Sequence, residues 1–249
     1  MTMKNKYINK ADGTKVLYLY GDVLSDWEVE WQESCGLTGG VSTKTVREVL
    51  QDAPDAELTI HINSDGGDVS AGIAIANLIR SRTGKTVGVV DGWAASIASV
   101  IFMACDELHM PENTFLMVHK PSAYVGYGNA ADLRGYADTL DAMQEGIEKT
   151  YQARAAEGVT ADDIHRDVEA ETWYTAEEAA KKYTISVDPL QAQMVACSTR
   201  DFAHMPLAVK ALKAELAAPK QEEKAKRVQN FDKEKAYISA VLKKGDLLR

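Results

Sequence analysis

An α/β fold, with parallel strands carrying helices on their faces, is predicted for this chain of 249 residues. Two observations predict it. Short apolar, β-branched runs alternate with amphipathic stretches over the first three quarters of the chain, which is the pattern of βαβ units. At 249 residues the chain is also long enough for one well-cored domain plus an extension.

The elements follow in order. Residues 16–20 read as a strand, and residues 41–50 as a helix with Ser42 and Thr43 near its start. Residues 58–62 alternate like a strand, and 69–82 carry a helical stripe of Val69, Ile73, Ile75, Ala76 and Ile79. Residues 86–90 form the next strand, followed by a helix from Ser96 to about Ala104 and short strands at 107–110 and 115–118. After Pro121 comes a glycine- and tyrosine-containing segment, 122–128. A long helical pattern over 130–156 follows, with Leu133, Tyr136, Leu140, Met143, Ile147 and Tyr151 at three- and four-residue steps. Such a helix exceeds about 35 Å at 1.5 Å per residue and is expected to project from a compact domain. The domain is expected to span 1–190, with 191–249 as a C-terminal extension. There 208–216 is helix-prone, 221–227 is a charge run suited to a linker, and 237–242 has a short apolar face.

Composition narrows the function. The net charge is −9, and residues 205–249 hold eleven Lys/Arg against six Asp/Glu, a surplus of +5 that leaves −14 for the rest. An acidic body argues against broad nucleic-acid binding. The basic extension suits either an acidic protein surface or plain solvent. No apolar stretch approaches the roughly 20 residues that span a bilayer, and the N-terminus lacks the apolar core of a signal peptide. Cys35, Cys105 and Cys197 are widely spaced and read as reduced thiols, so a cytoplasmic protein is expected. Cys105 follows an apolar run and is expected to be packed.

The chemistry gathers around one serine. Gly92-Trp93-Ala94-Ala95-Ser96-Ile97-Ala98-Ser99 carries Ser96 where an apolar strand gives way to an apolar helix. Small neighbours permit a tight turn that exposes the hydroxyl, and a helix N-terminus favours negative charge. Asn63-Ser64-Asp65-Gly66-Gly67-Asp68 precedes it and supplies backbone that approaches a substrate closely. His119 follows a short strand and stands before Lys120-Pro121, and carboxylates cluster downstream between Asp162 and Glu171. A nucleophile, a base, an orienting acid and an anion-stabilising strip are the parts of a serine hydrolase. The bland alternative for Ser96 is a helix N-cap.

These segments resemble a family. Residues 16–188 are similar to the ClpP-type self-compartmentalising serine peptidases, and most to the ClpP-related head-maturation proteases of tailed bacteriophages. The resemblance rests on Leu17-Tyr18-Leu19-Tyr20-Gly21-Asp22-Val23, Ile62 to Gly67, Gly92 to Ser96, Met117 to Pro121 and Glu171 to Ala179, in the family's order and near its spacing. It implies a crotonase-like β/α spiral with a long handle helix, Ser96 as nucleophile and His119 as general base. It also implies oxyanion-hole N–H groups from Gly67 and Ile97. The family's cellular members carry aspartate where Glu171 stands, so Glu171 is the expected third member and Asp167, one helical turn earlier, its rival. Ring-shaped homo-oligomers, heptamers stacked into tetradecamers, are implied, with phage scaffold or capsid proteins as substrates in the host cytoplasm or procapsid. An unfoldase ATPase partner is compatible but nothing in the chain indicates one.

Two departures stand out. Asp65 replaces the family's proline, either placing charge beside the oxyanion strip or capping the helix that starts at Val69. The glycine usual after the family's helix ending is missing from 181–188, so that turn is expected to be built differently. His61 and His109 read as structural residues on strands, and His165 and His204 have no matching role. No metal-ligand spacing and no phosphate-binding loop occur, so no metal or cofactor is expected. A non-hydrolytic crotonase-fold protein or ring scaffold is the alternative of a different class, disfavoured by the Ser96/His119 pair.

Overall fold

The computed structural model describes residues 6–9, 15–35, 40–52, 54–189, 202, 204–207 and 209–211. Residues Met1–Pro206 form one compact unit and Leu207–Arg249 a second. The expectations for residues 221–227 and 237–242, and for most of 208–216, lie outside the described residues, as does Cys197.

The first unit is built on one eight-stranded sheet. Strands β1 (Lys6–Asn9), β2 (Lys15–Tyr20), β3 (Leu58–Ser64), β4 (Thr86–Ala95), β5 (Glu107–Pro111) and β8 (Ser186–Asp188) lie side by side in the order β1-β2-β3-β4-β5-β8. All neighbours on this path are parallel except β1 and β2. Strand β4 is ten residues long and pairs with β3 and, on its other edge, with two further strands. Its first half runs beside β5, and its second half beside β6 (Phe115–Val118), with Ala95 opposite Met117. Strand β7 (Thr172–Thr175) then closes antiparallel on β6, with Val118 opposite Thr172. The expected strand at 86–90 is therefore the front half of a longer one, because 93–95 find partners in β3 and β6.

Helices α2 (Thr43–Asp52), α3 (Val69–Arg80) and α4 (Ile97–Phe102) join these strands. The helix expected from 41 begins two residues later because Val41 is taken into a parallel bridge with Val23. Asp68, not Asp65, caps α3, accepting from the Ala71 N–H at 2.6 Å. The capping alternative for Asp65 is thus corrected. Asp65 is fully buried and its carboxylate accepts from the Trp93 indole N–H at 2.7 Å, which a helix cap in solvent has no need of. Buried Ile60, Ile62, Val90, Ile75, Ile79 and Phe102 fill the sheet–helix interface, each worth about 1.5–3 kcal/mol of apolar burial.

Not every helix is among the expected elements. Helix α1 (Asp26–Ser34) starts at a capping box, Ser25 accepting from the Glu28 N–H while the Glu28 carboxylate accepts from the Ser25 N–H. The S-x-x-E spacing was there to be read. Helix α5 (Ala130–Gln152) ends four residues earlier than its pattern suggested, since Ala155 bridges Tyr183. Its last turns bury Ile147 and Tyr151, whereas Leu133 and Tyr136 near its start are exposed. That is how a helix anchored at one end and projecting at the other divides its surface. Helices α6 (Ala161–Glu169) and α7 (Ala176–Lys182) flank β7, each opened by a threonine capping box. Residues 122–126, after Pro121, form no helix or strand, and Tyr124 and Tyr127 are fully exposed.

Candidate active site

Strand register brings the site together. Strand β4 ends at Ala95, opposite Met117 of β6, so Ser96 and His119 emerge at the same end of two paired strands. Strand β7 begins at Thr172, opposite Val118, which sets Glu171 beside His119. The Gly66-Gly67 strip follows β3, whose Ser64 faces Ala94. Four chain segments, distant in sequence, thus converge through hydrogen-bonded pairing.

Ser96 sits at φ 56° and ψ −131°, a conformation unusual for any residue with a Cβ. Such backbone costs on the order of 1–3 kcal/mol and must be held by its surroundings. Here the Ser96 N–H donates to the Met117 carbonyl at 3.0 Å. The Ser96 carbonyl accepts from the Ser99 N–H at 3.0 Å and from its hydroxyl at 2.5 Å. The Ser99 hydroxyl also lies 2.7 Å from the phenol oxygen of Tyr151, so α5 braces the strained turn. Ser99 and Tyr151 were missed in the sequence; a buried serine three residues after the nucleophile is the only signal they leave.

Ser96 makes no side-chain cap to α4. Its Oγ instead lies 2.7 Å from Nε2 of His119. On the other side of the imidazole, Nδ1 is 3.9 Å from Oε2 of Glu171, an ion-pair separation longer than a hydrogen bond. Catalytic hydrogen bonds often tighten only in a substrate complex. Glu171 occupies the left-handed position just past α6 (φ 51°), where the chain turns from helix to β7. Asp167 is turned elsewhere: it accepts from the Tyr174 phenol at 2.7 Å and from Lys182 Nζ at 2.6 Å.

The glycine strip is tightly confined. Gly66 has φ +85° and Gly67 φ +151°. A Cβ on Gly66 would lie 2.7 Å from the Ser96 Cβ and 3.0 Å from the Ile97 nitrogen; one on Gly67 would lie 1.9 Å from the Val23 carbonyl oxygen. Val23 pairs with the strip, donating to the Gly66 carbonyl and accepting from the Asp68 N–H, both at 2.8 Å. Because successive N–H groups alternate in extended backbone, that of Gly67 is directed away from Val23. The Ile97 N–H, first in α4, has no acceptor within its own helix. Beside Gly67 opens a mainly apolar cavity of about 380 Å³, walled by Val69, Tyr136, Leu140 and Met143.

The remaining candidates have structural partners. His61 pairs with Asp91 at 2.8 Å and stacks on Tyr18. His109 pairs with Asp188 at 3.1 Å, and His165 with Glu148 at 2.9 Å. His204 is a surprise: its backbone N–H donates to Oε1 of Glu171 at 2.6 Å. No cluster of potential metal ligands occurs among the described residues. Cys105 is buried, and burial pushes its thiol up to about 12. Iodoacetamide applied to the folded protein at mildly alkaline pH is therefore expected to modify exposed Cys35 and to spare Cys105, as read by peptide mapping. Alkylation of both would show that the core under α4 opens.

A serine on a strained strand–helix turn, against a histidine with a carboxylate behind it and a glycine strip alongside, is the arrangement of a serine hydrolase. Comparison with known proteins narrows the class. The Clp protease family profile matches residues 38–186. The ATP-dependent Clp protease proteolytic subunit 2 of Pseudomonas aeruginosa is 30% identical over 153 residues, 58% of this chain and 75% of that protein. Subunit 3 of Rhodococcus jostii is 29% identical over 64% of this chain and 82% of that protein. Subunit 3 of Streptomyces coelicolor is 32% identical over 128 residues, 51% of this chain. The match spans 58% of the length of that Streptomyces protein. The chain belongs to the Clp protease family, a family of serine-type peptidases, and its parallel-rich sheet is the ClpP/crotonase-like fold.

Proposed function

We propose that this protein is a serine endopeptidase in which Ser96 is the nucleophile, His119 the general base and Glu171 the orienting acid. The observation that carries this reading is the 2.7 Å approach of Ser96 Oγ to His119 Nε2 from a backbone turn too strained to be a mere helix cap. Ser96 Oγ attacks the peptide carbonyl carbon as its proton passes to Nε2. The Gly67 and Ile97 N–H groups hold the oxyanion, and Glu171 steadies the imidazolium. The C–N bond then breaks, His119 gives its proton to the leaving amine, and an acyl-enzyme remains. Water, deprotonated by His119, adds to the acyl carbon and releases the acid product with Ser96 restored. Asp167, held by Tyr174 and Lys182, is not given this role. The apolar cavity beside Gly67 favours substrates with an apolar side chain next to the scissile bond.

The finer reading is cleavage of scaffold or capsid-protein segments during phage head maturation, by ring-shaped assemblies in the host cytoplasm or procapsid. Its support is the resemblance of the five motif segments and a basic extension suited to acidic protein surfaces. The described residues include no helix long and apolar enough to cross a membrane. The second reading, a peptidase fed by an unfoldase ATPase, is favoured by the names of the relatives, all ATP-dependent proteolytic subunits.

The test is a fluorophosphonate probe read by intact mass on wild type and Ser96→Ala. One adduct on the wild type alone supports the activated serine; none on either overturns it. Cleavage of purified capsid or scaffold protein without any ATPase then separates the two biological readings.

A further inference from the structure

We infer that Phe202 and His204 are working parts of the catalytic site. The His204 backbone N–H and the Phe202 ring position Glu171 and His119 from outside the stretch that defines the family. The inference rests on the reading of Ser96, His119 and Glu171 given above.

The contacts converge on one edge of the site. The His204 N–H donates to Oε1 of Glu171 at 2.6 Å, which leaves Oε2 as the oxygen nearer His119 Nδ1. Phe202 stands edge-on to the His119 ring, with centroids 5.6 Å apart, and edge-on to Trp173 at 5.7 Å. Met205 is buried, and its N–H donates to the Phe202 carbonyl at 3.5 Å. None of these residues lines the cavity beside Gly67. The contacts of Phe202 and His204 thus fall on Trp173 and Glu171, on the acid's side of the imidazole.

The physical need is specific to glutamate. A glutamate carboxylate has one more rotatable bond than aspartate, and here it starts from a left-handed turn position. Held only at its Cα, it samples rotamers in which neither oxygen faces the imidazole. A charge-assisted bond from a backbone N–H to one oxygen removes that freedom and presents the other. The Phe202 edge limits rotation of the imidazole in the same way.

The experiment compares full-length His204→Pro, which removes the N–H, with His204→Ala, which keeps it, and with Phe202→Ala. Thermal melting and fluorophosphonate labelling accompany each. His204→Pro is expected to lower kcat roughly ten- to a hundredfold, the scale of one hydrogen bond to a charged group, with KM little changed. The acid limb of its kcat/KM profile should move to lower pH, because the imidazolium loses a fixed negative neighbour. His204→Ala should match the wild type in both. Phe202→Ala should lose about two- to tenfold in kcat. Should His204→Pro fail to fold, Phe202→Ala decides: unchanged turnover overturns the inference. Equal rates and profiles for His204→Pro and His204→Ala also overturn it, as does a rise in rate. Absence of a Ser96-dependent adduct on the wild type is a separate result, and it overturns the serine peptidase reading itself.

Discussion

Ser96→Ala is expected to abolish peptide hydrolysis, by on the order of 10³–10⁶ in kcat, while the protein still folds. In the proposed mechanism the loss is large because Oγ is both the attacking atom and the proton donor to His119. The folding half of the prediction follows from the hydrogen bonds that hold the turn. They use the Ser96 N–H and carbonyl, with Met117 and Ser99 as partners, and leave the side chain out. A further comparison sharpens the test. Alanine keeps the strain of φ 56°, whereas glycine relieves it. Ser96→Gly should be as inactive as Ser96→Ala yet melt at a higher temperature, by an amount worth about 1 kcal/mol. Equal melting temperatures for the two variants would show that the turn stores no strain. Residual turnover near the wild-type rate in either would remove Ser96 from the mechanism.

Gly67→Ala is expected to damage stability and chemistry at once. Its Cβ would stand 1.9 Å from the Val23 carbonyl oxygen, and the backbone φ of +151° is one that glycine alone adopts easily. Neither obstacle is the flexible end of a side chain. The strip must therefore move off Val23, breaking the bridge that aims the Gly67 N–H. A loss of about 2–3 kcal/mol in unfolding free energy is expected from backbone strain and the lost pairing. A fall of about 10²–10³ in kcat is expected from the misdirected oxyanion donor. Calorimetry and steady-state kinetics on the one variant read both. A normal melting temperature with lowered kcat would separate the oxyanion role from the structural one; normal values for both would show that the strip shifts without consequence.

How much of this was legible beforehand differs from residue to residue. The strands at 16–20 and 115–118 stood out as short apolar runs, 58–62 by its alternation and the helix at 69–82 by its helical stripe, because the chain must place apolar groups in the core. Ser96, His119 and the glycine pair were singled out for a different reason: the roles proposed for them, a nucleophile, a base and close-approach backbone, need particular residue types in small-residue settings. Helix α1 was overlooked although its capping box is local and readable. By contrast, the length of β4 was not readable from its own residues, since Trp93-Ala94-Ala95 joins the sheet only because β3 and β6 offer partners.

The acid shows the boundary most clearly. Composition placed a cluster of carboxylates between Asp162 and Glu171, and local spacing left Glu171 and Asp167 as alternatives. The choice of which one faces His119 came from the β6–β7 register and the turn after α6, while Tyr174 and Lys182, the latter from a neighbouring helix, drew Asp167 away. The contact of His204 with Glu171 joins groups 33 residues apart. Local patterns of burial and chemistry are written in the order of residues, because they act between near neighbours. Strand register, a bridge at a glycine and the partner of a carboxylate depend on segments far apart in the chain, and only the folded sheet brings those together.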